Sequence, residues 1–266
     1  MIMENHFNVL DNPGTRLRPL VMGILNITPD SFHDGGRYYD TSSAVRQART
    51  LAAAGADIID IGAASSRPGY IPISAAEELS RLLPVLDALE NETLPPLSID
   101  TDKLAVAEAA VGRGVSIIND TSGDLESGCF ELAAAKKLPL IVMHRQREKA
   151  EQDIVSEVEA FFESSFAKAR SSGLPERLLI FDPGLGFNKS IDENLELIDA
   201  VPRLARLGRP LLIGYSHKRF TASLAGERPG CAPKGNAILA RRVTDLGADI
   251  VRVHDVKEFL ESIENG

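Results

Sequence analysis

The sequence predicts a single α/β domain with the (β/α)8 TIM-barrel fold. Eight short apolar runs recur along the chain, and helical patterns rich in Ala, Leu, Glu and Arg alternate with them. Continuous apolar runs are typical of parallel strands that are buried on both faces. The length of 266 residues suits one such barrel, which typically has about 250 residues.

Each predicted strand is an apolar run that ends in polar or turn-forming residues. In chain order the eight predicted strands are residues 20–26, 58–61, 97–100, 116–119, 138–144, 178–182, 210–215 and 250–254. The eight predicted helices are residues 42–54, 75–89, 103–112, 129–135, 154–172, 193–207, 236–247 and 256–263.

An open doubly wound sheet is the alternative architecture. Six strands would suffice for it, and no Gly-x-Gly-x-x-Gly turn follows the first strand. No linker rich in Ser and Pro divides the chain, and the Pro/Gly cluster at 226–235 is only long enough for a loop. We therefore expect residues 1–18 to be an N-terminal extension and residues 19–266 to form the barrel.

Composition and charge exclude several classes of protein. Hydrophobic residues at 44% and charged residues at 25% are ordinary for a globular protein, and no apolar stretch approaches the roughly 20 residues of a membrane-spanning helix. The first residues lack a signal-peptide pattern, so we expect a cytoplasmic protein without membrane partners. The net charge of -9 disfavours nucleic-acid binding. Cys129 and Cys231 are not spaced as a metal cage or a disulfide framework.

Polar residues follow nearly every predicted strand at its carboxyl end. Barrel enzymes carry their chemistry at this end, so these side chains are expected to converge on one rim. They are Asn26, residues 65–69, Asp100, Asn119, Asp120, Met143 with His144, Asp182, Ser216 to Lys218, Arg252 and His254.

Asp100, Asn119 and Asp182 offer hydrogen-bond donors and acceptors to a flat heterocycle that carries N–H, amino and carbonyl groups. A buried site holds such a ring by satisfying each group, because an unmatched polar group costs about 1 to 3 kcal/mol. Taken singly, each residue could instead cap the helix that follows it. Together they favour recognition of a heterocycle.

Arg67, Lys218, Arg252 and His254 supply positive charge and donors suited to an anion such as pyrophosphate. The alternative for each is a solvent-facing salt bridge. Departure of pyrophosphate needs preset partners for the growing negative charge, and a divalent ion would help. The motif Gly-x-Ser-x-Gly is absent and no Ser-His-Asp set is spaced convincingly, which disfavours covalent acyl chemistry.

Eight ordered motifs resemble those of the dihydropteroate synthase family. They are residues 23–32 (GILNITPDSF), 55–62 (GADIIDIG), 66–69 (SRPG), 98–100 (SID), 117–120 (IIND), 143–144 (MH), 182–187 (DPGLGF) and 252–256 (RVHDV). The resemblance covers nearly the whole chain and implies the same barrel. It also implies the family reaction of folate biosynthesis, in which 6-hydroxymethyl-7,8-dihydropterin pyrophosphate and p-aminobenzoate give 7,8-dihydropteroate and pyrophosphate. A cytoplasmic homodimer that uses Mg²⁺ is implied as well.

The resemblance also assigns roles to residues. It implies that Asn26 helps to hold Mg²⁺ on the pyrophosphate and that Arg252 and His254 also bind the pyrophosphate. The implied pterin site is Asp100, Asn119, Met143, Asp182, Lys218 and Arg252, and the implied p-aminobenzoate site is Ser66, Arg67, Pro68 and Phe187. The implied catalytic residues are Lys218, Asp100, Asp182 and Arg67. The loops 28–37 and 63–70 would close over the substrates.

Two positions depart from the family pattern. Ala64 stands where the family usually has Glu in Gly-Glu-Ser-Thr-Arg-Pro-Gly, and His217 stands where Ser-Arg-Lys is usual. They keep open a catalytically silent pterin-binding paralogue, and they leave the response to sulfonamides open. A methyltetrahydrofolate-dependent methyltransferase domain on the same type of barrel is a further alternative. It would not require the loop 28–32, the segment 66–68 or Lys218.

Overall fold

The computed structural model describes residues 13–14, 17–27, 41–64, 72–145, 153–228 and 232–264. Within these ranges eight parallel strands form the inner layer, which confirms the predicted number. They are β1 Leu20–Asn26, β2 Ile58–Gly62, β3 Leu97–Thr101, β4 Ile117–Asp120, β5 Leu140–Met143, β6 Leu179–Asp182, β7 Leu212–Gly214 and β8 Ile250–Val253.

Helices connect the strands and form the outer layer. They are α1 Thr41–Ala53, α2 Ala75–Leu89, α3 Leu104–Val111, α4 Cys129–Lys136, α5 Ile154–Ser172, α6 Ile191–Asp199, α7 Val201–Leu204, α8 Arg219–Leu224, α9 Pro233–Asp245 and α10 Val256–Glu264. Short 3₁₀ turns lie at Glu176–Leu178 and Ala205–Leu207.

The strands are hydrogen-bonded in the order β6-β5-β4-β3-β2-β1-β8-β7. The two ends of this sheet meet through one bridge between Phe181 and Leu211, beside which the N–H of Phe181 donates to the carbonyl of Pro210 at 2.9 Å. The sheet is therefore a nearly closed barrel, and the predicted (β/α)8 fold is confirmed. The carboxyl ends of all the strands face one mouth.

Apolar side chains fill the layer between strands and helices. Ile58, Ile59 and Ile61 of β2 are buried, as are most apolar residues of the other strands. On α5, Phe162 stacks on Phe181 of β6 with ring centroids 4.2 Å apart. Most strand residues are therefore apolar, and the buried polar ones include Asp60, Ser98 and Asn119.

The predicted helix 193–207 is interrupted in the structure. It consists of α6, α7 and the 3₁₀ turn Ala205–Leu207, and Pro202 lies in the first turn of α7. Proline lacks the N–H that would continue the α6 hydrogen-bond series, so a new helix starts there. The predicted strand 210–215 is also longer than β7, and the short helix α8 was not predicted.

The described part of the predicted N-terminal extension contacts the opposite end of the barrel. The N–H of Gly14 donates to Asp249 at 2.5 Å, and Arg18 pairs with Asp57 at 2.8 Å. Both carboxylates precede strands. Among the described helices, none combines the length and the apolar character that crossing a membrane requires.

Replacing Gly235 by alanine is expected to destabilise the protein. A Cβ at Gly235 would lie 2.1 Å from the carbonyl oxygen of Thr221, so α8 and α9 would have to move apart. Overpacking costs about 1 to 3 kcal/mol, and thermal unfolding followed by circular dichroism should show the lower Tm. Gly112→Ala is the control, because its nearest contacts would be the carbonyl oxygens of Glu108 and Ala109, both at 3.4 Å. Equal Tm values for the two variants would contradict this packing.

Candidate active site at the barrel mouth

Arg252 of β8 is the centre of a buried ionic network. Its Nε lies 2.6 Å from Asp60 Oδ2, and its Nη2 pairs with Asp100. The amide of Asn119 donates to the same Asp60 oxygen at 3.0 Å. Four strands, β2, β3, β4 and β8, are thus joined by side chains across the mouth.

Asp60 is a site residue that the sequence prediction missed. It is fully buried in the middle of β2. Its signal in the sequence is a single carboxylate within an apolar run, Ile58–Gly62. Burying a carboxylate is costly unless a cation or hydrogen-bond donors compensate it, so such a residue implies a partner elsewhere in the chain.

Asp182, Lys218 and Phe187 form the opposite side of the mouth. The N–H of Gly184 donates to Asp182 Oδ1 at 2.7 Å, which fixes the carboxylate at the end of β6. Lys218 Nζ donates to the carbonyl of Leu185 and lies 5.1 Å from the centroid of the Phe187 ring. Lys218 and Phe187 therefore line one pocket.

Gly214 of β7 connects the two sides. A Cβ on Gly214 would lie 3.7 Å from Arg252 Cβ and 3.9 Å from Lys218 Nζ. The two cations therefore flank a bare stretch of backbone. Positive charge faces the three buried carboxylates across the mouth.

Burial shifts the protonation of these groups in opposite directions. It raises the pKa of Asp100 to about 6 although Arg252 opposes the shift, and it raises the pKa of Asp182 although Lys218 opposes it. Burial lowers the pKa of Lys218 to about 8, with Asp182 acting against the shift. Among the described residues, Asp60 Oδ1 and Asn119 Oδ1 are buried acceptors without a hydrogen-bond partner. A ligand with N–H groups would satisfy such acceptors.

Asn26 ends β1 beside Gly62 of β2, and both face Asp100. A Cβ on Gly62 would lie 3.8 Å from Asn26 Oδ1 and 3.7 Å from Asp100 Oδ2. An amide oxygen next to such a gap suits Mg²⁺, which prefers oxygen ligands and usually completes its shell with water and substrate phosphates. Within the described ranges there is no cluster of three or more His, Cys, Asp or Glu residues that could hold a metal ion. The donor set thus fits an ion held largely by a substrate.

His254 lies after β8, against the end of β7. Its N–H and its Nδ1 lie 3.3 and 3.1 Å from the hydroxyl oxygen of Ser216. The ring of His217 stacks on the His254 ring, with centroids 4.4 Å apart. His217 has φ +60°, in the left-handed region that is unfavourable for most side chains. The departure from the family pattern at position 217 therefore places a second imidazole beside the first.

The structure brings most of the predicted site residues to this mouth. They are Asn26, Asp100, Asn119, Asp182, Phe187, Lys218 and Arg252. Met143 is buried beside the turn after β6, where a Cβ on Gly184 would lie 3.2 Å from Met143 Cγ. The predicted p-aminobenzoate residues Ser66, Arg67 and Pro68, and the loop 28–37, lie outside the described residues.

The prediction that His144 belongs to the rim is wrong. Its Nε2 lies 3.1 Å from Glu157 Oε1 on α5, and its ring packs edge-on against Phe161 at 5.3 Å. Burial lowers the pKa of His144 to about 3, so the ring is neutral. Because side chains alternate along a strand, His144 faces the helix layer while Met143 lies beside the mouth. Asp120 was also predicted at the rim, but its carboxylate accepts hydrogen bonds from Ser122 and Ser127 in the loop that follows β4.

The fold and the site define a class of protein, a (β/α)8 barrel enzyme with a polar, charge-paired mouth. Residues 22–254 match the family described as "Pterin binding enzyme". A probable bifunctional folylpolyglutamate synthase/dihydropteroate synthase of Haloferax volcanii is 44% identical over an alignment of 254 residues, and the match covers 91% of this chain and 30% of that protein. The chain therefore spans less than a third of that relative.

A dihydropteroate synthase of Synechocystis sp. is 41% identical over 253 residues, covering 92% of this chain and 88% of that protein. The crystal structure of a dihydropteroate synthase from Clostridium difficile in the presence of pteroic acid is 36% identical. It superposes with a TM-score of 0.89 and covers 96% of this chain and 97% of that chain. The chain belongs to the dihydropteroate synthase family.

Asp60→Asn is expected to lower the free energy of unfolding by about 3 kcal/mol. This is the low end of the cost of breaking a buried ion pair, because Asp100 still compensates Arg252. Urea unfolding monitored by fluorescence or circular dichroism measures the change. Asp87→Asn is the matched control, because the Asp87 carboxylate pairs with Arg113 at 2.8 Å and is 62% exposed. A loss no larger in Asp60→Asn than in Asp87→Asn would contradict the central role of the pair with Arg252.

Proposed function

We propose that this barrel catalyses the dihydropteroate synthase reaction, with each end of the mouth serving one part of the substrate. It condenses 6-hydroxymethyl-7,8-dihydropterin pyrophosphate with p-aminobenzoate and releases pyrophosphate. The observation that carries the proposal is the network of Asp60, Asp100, Asn119 and Arg252 next to Asp182 and Lys218. This arrangement stands in a chain about 40% identical to dihydropteroate synthases over nearly their whole length.

The pterin is bound by Asp100, Asn119, Asp182 and Lys218, with Met143 and Arg252 lining the slot. The carboxylates accept hydrogen bonds from the ring N–H and amino groups, and the lysine donates to the ring carbonyl or nitrogen. The unpaired Asn119 Oδ1 supports this role. Asp60 contacts Asn119 and Arg252 and holds them in place.

The leaving pyrophosphate is bound by Asn26, Arg252 and His254. The positive charge of Arg252 and the N–H donors of all three residues stabilise the charge that grows on the leaving group. Bound Mg²⁺ would neutralise part of this charge and would be held by Asn26 Oδ1 together with the phosphates. The proximity of Asn26 to the gap beside Gly62 supports this assignment.

The p-aminobenzoate amine attacks the exocyclic methylene carbon of the pterin after the bond to pyrophosphate breaks. The carbon–nitrogen bond forms, the carbon–oxygen bond to pyrophosphate is broken, and the amine loses one proton. Phe187 stacks on the aryl ring, and the family resemblance assigns Ser66, Arg67 and Pro68 to the same substrate. The cationic Lys218 beside the Phe187 ring supports a pocket shared by the two substrates.

An assay of both products tests the proposed function. Purified protein, Mg²⁺, 6-hydroxymethyl-7,8-dihydropterin pyrophosphate and p-aminobenzoate should give dihydropteroate and pyrophosphate in equal amounts. Lys218→Met should lower kcat/KM about a hundredfold, because it removes a preorganised charge from the mouth. Lys257→Met is the matched control, since that side chain is 76% exposed on α10. Binding of the pterin without either product would instead support the silent paralogue.

We also propose that the enzyme is a cytoplasmic homodimer, as the family resemblance implies. Ile238 on α9 supports an association surface on the outer layer, because 48% of this apolar residue is exposed. Sedimentation equilibrium at micromolar concentration should give twice the monomer mass. The monomer mass alone at these concentrations would contradict the dimer.

A further inference from the structure

Lys189 is a partly buried cation that none of the assignments above uses. It lies between β6 and α6, and its side chain turns back toward the barrel. Its Nζ donates to the carbonyl oxygens of Gly184 at 2.9 Å, His144 at 3.2 Å and Phe187 at 3.5 Å. An ammonium group has three donors. All three N–H donors therefore have acceptors, two in the turn 184–187 and one in the residue that follows β5.

These three carbonyls belong to the backbone that carries two proposed binding residues. Gly184 donates to the Asp182 carboxylate at 2.7 Å, and the Phe187 ring lies under Lys218. The N–H of His144 donates to the carbonyl of Asp182 at 2.9 Å. Lys189 thus ties the turn 184–187 to the end of β5.

The turn has little freedom to take another position. Gly184 has φ +67°, and a Cβ there would lie 1.9 Å from the carbonyl oxygen of His144. Asn194 holds the turn from the other side, because its Oδ1 accepts from the Gly186 N–H at 2.6 Å and its Nδ2 donates to the Lys189 carbonyl at 3.2 Å. The turn is therefore held by two side chains, Lys189, which we call the charged clamp, and Asn194, which we call the neutral clamp.

The charged clamp is costly to bury. Burial lowers the pKa of Lys189 to about 8, Asp182, Glu157 and Glu193 act against this shift, and Lys218 adds to it. The charge of Lys189 also favours the ionised form of Asp182, in the same sense as Lys218 and Arg252. An apolar or amide side chain could fill the space without this cost, so the charge itself needs a reason.

We propose that Lys189 is a positioning residue that holds the turn 184–187 and sets both the place and the charge of the Asp182 carboxylate. The inference rests on the proposed synthase function, in which Asp182 binds the pterin and Phe187 the aryl amine. Lys189 acts through these residues and touches neither substrate.

The test compares Lys189→Met, Lys189→Arg and Asn194→Ala with the unchanged protein. The first readout is the titration of the Asp182 carboxyl carbon by NMR, assigned with Asp182→Asn. Removing a nearby positive charge destabilises the carboxylate, so in Lys189→Met the proton should stay bound to a higher pH. An upward shift of the Asp182 titration relative to the unchanged protein is expected. Lys189→Arg should titrate like the unchanged protein, and so should Asn194→Ala, which loses only the neutral clamp.

The second readout is steady-state kinetics at temperatures well below the Tm of each variant. Lys189→Met should lower kcat/KM at least tenfold at neutral pH, with a higher KM for p-aminobenzoate because Phe187 is displaced. The acidic limb of its pH–kcat/KM profile should move to higher pH, whereas the acidic limb of the Asn194→Ala profile should not move. A lower Tm in Lys189→Met with an unmoved Asp182 titration and unchanged KM would overturn the proposal. If the unchanged protein makes no dihydropteroate, the proposed function fails, while the NMR titration still decides the role of Lys189.

Discussion

The pairing of Arg252 with Asp60 and Asp100 is the interaction on which the site depends. Asp60 and Asp182 are buried at the mouth of the barrel, and Asp100 is partly buried beside them. Each would be costly in isolation, and each is compensated by a cation or an amide from another strand. Because Arg252 reaches two strands at once, its position also fixes Asn119 through Asp60. The same contacts therefore arrange the side chains at the mouth and join β8 to β2 and β3.

The strands were predictable because buried parallel strands have a simple pattern, and the carboxyl-end rule then located Asp100, Asn119, Asp182, Lys218 and Arg252. The ion-pair partners of these side chains were not predictable in the same way. Asp60 and Arg252 are 192 residues apart, and they meet because β2 and β8 pair with opposite edges of β1. The prediction considered only residues at the ends of the apolar runs, and Asp60 lies in the middle of one, so it was missed.

Other differences have equally local causes. His144 was expected at the rim because it follows a strand, but the residue before it takes the position beside the mouth and the alternation turns His144 outward. Lys189 carries no signal in the sequence, because its acceptors are backbone carbonyls. Ala64 is followed by residues outside the described ranges, and His217 keeps its place beside Ser216 and His254. Lys218 lies at the mouth beside Phe187 despite both departures, and a methyltransferase domain would not require this lysine.

The seam between β6 and β7 has a consequence for how the barrel is held together. Only one backbone bridge joins these strands, and Asp182 and Lys218 follow them on either side. A substrate bound between these two residues would span the seam. By mass action, a ligand that binds only the closed barrel raises the free energy of unfolding by an amount that grows with the logarithm of the ligand concentration. The strand pair with the fewest backbone contacts in the inner layer thus lies where bound substrate would stabilise it.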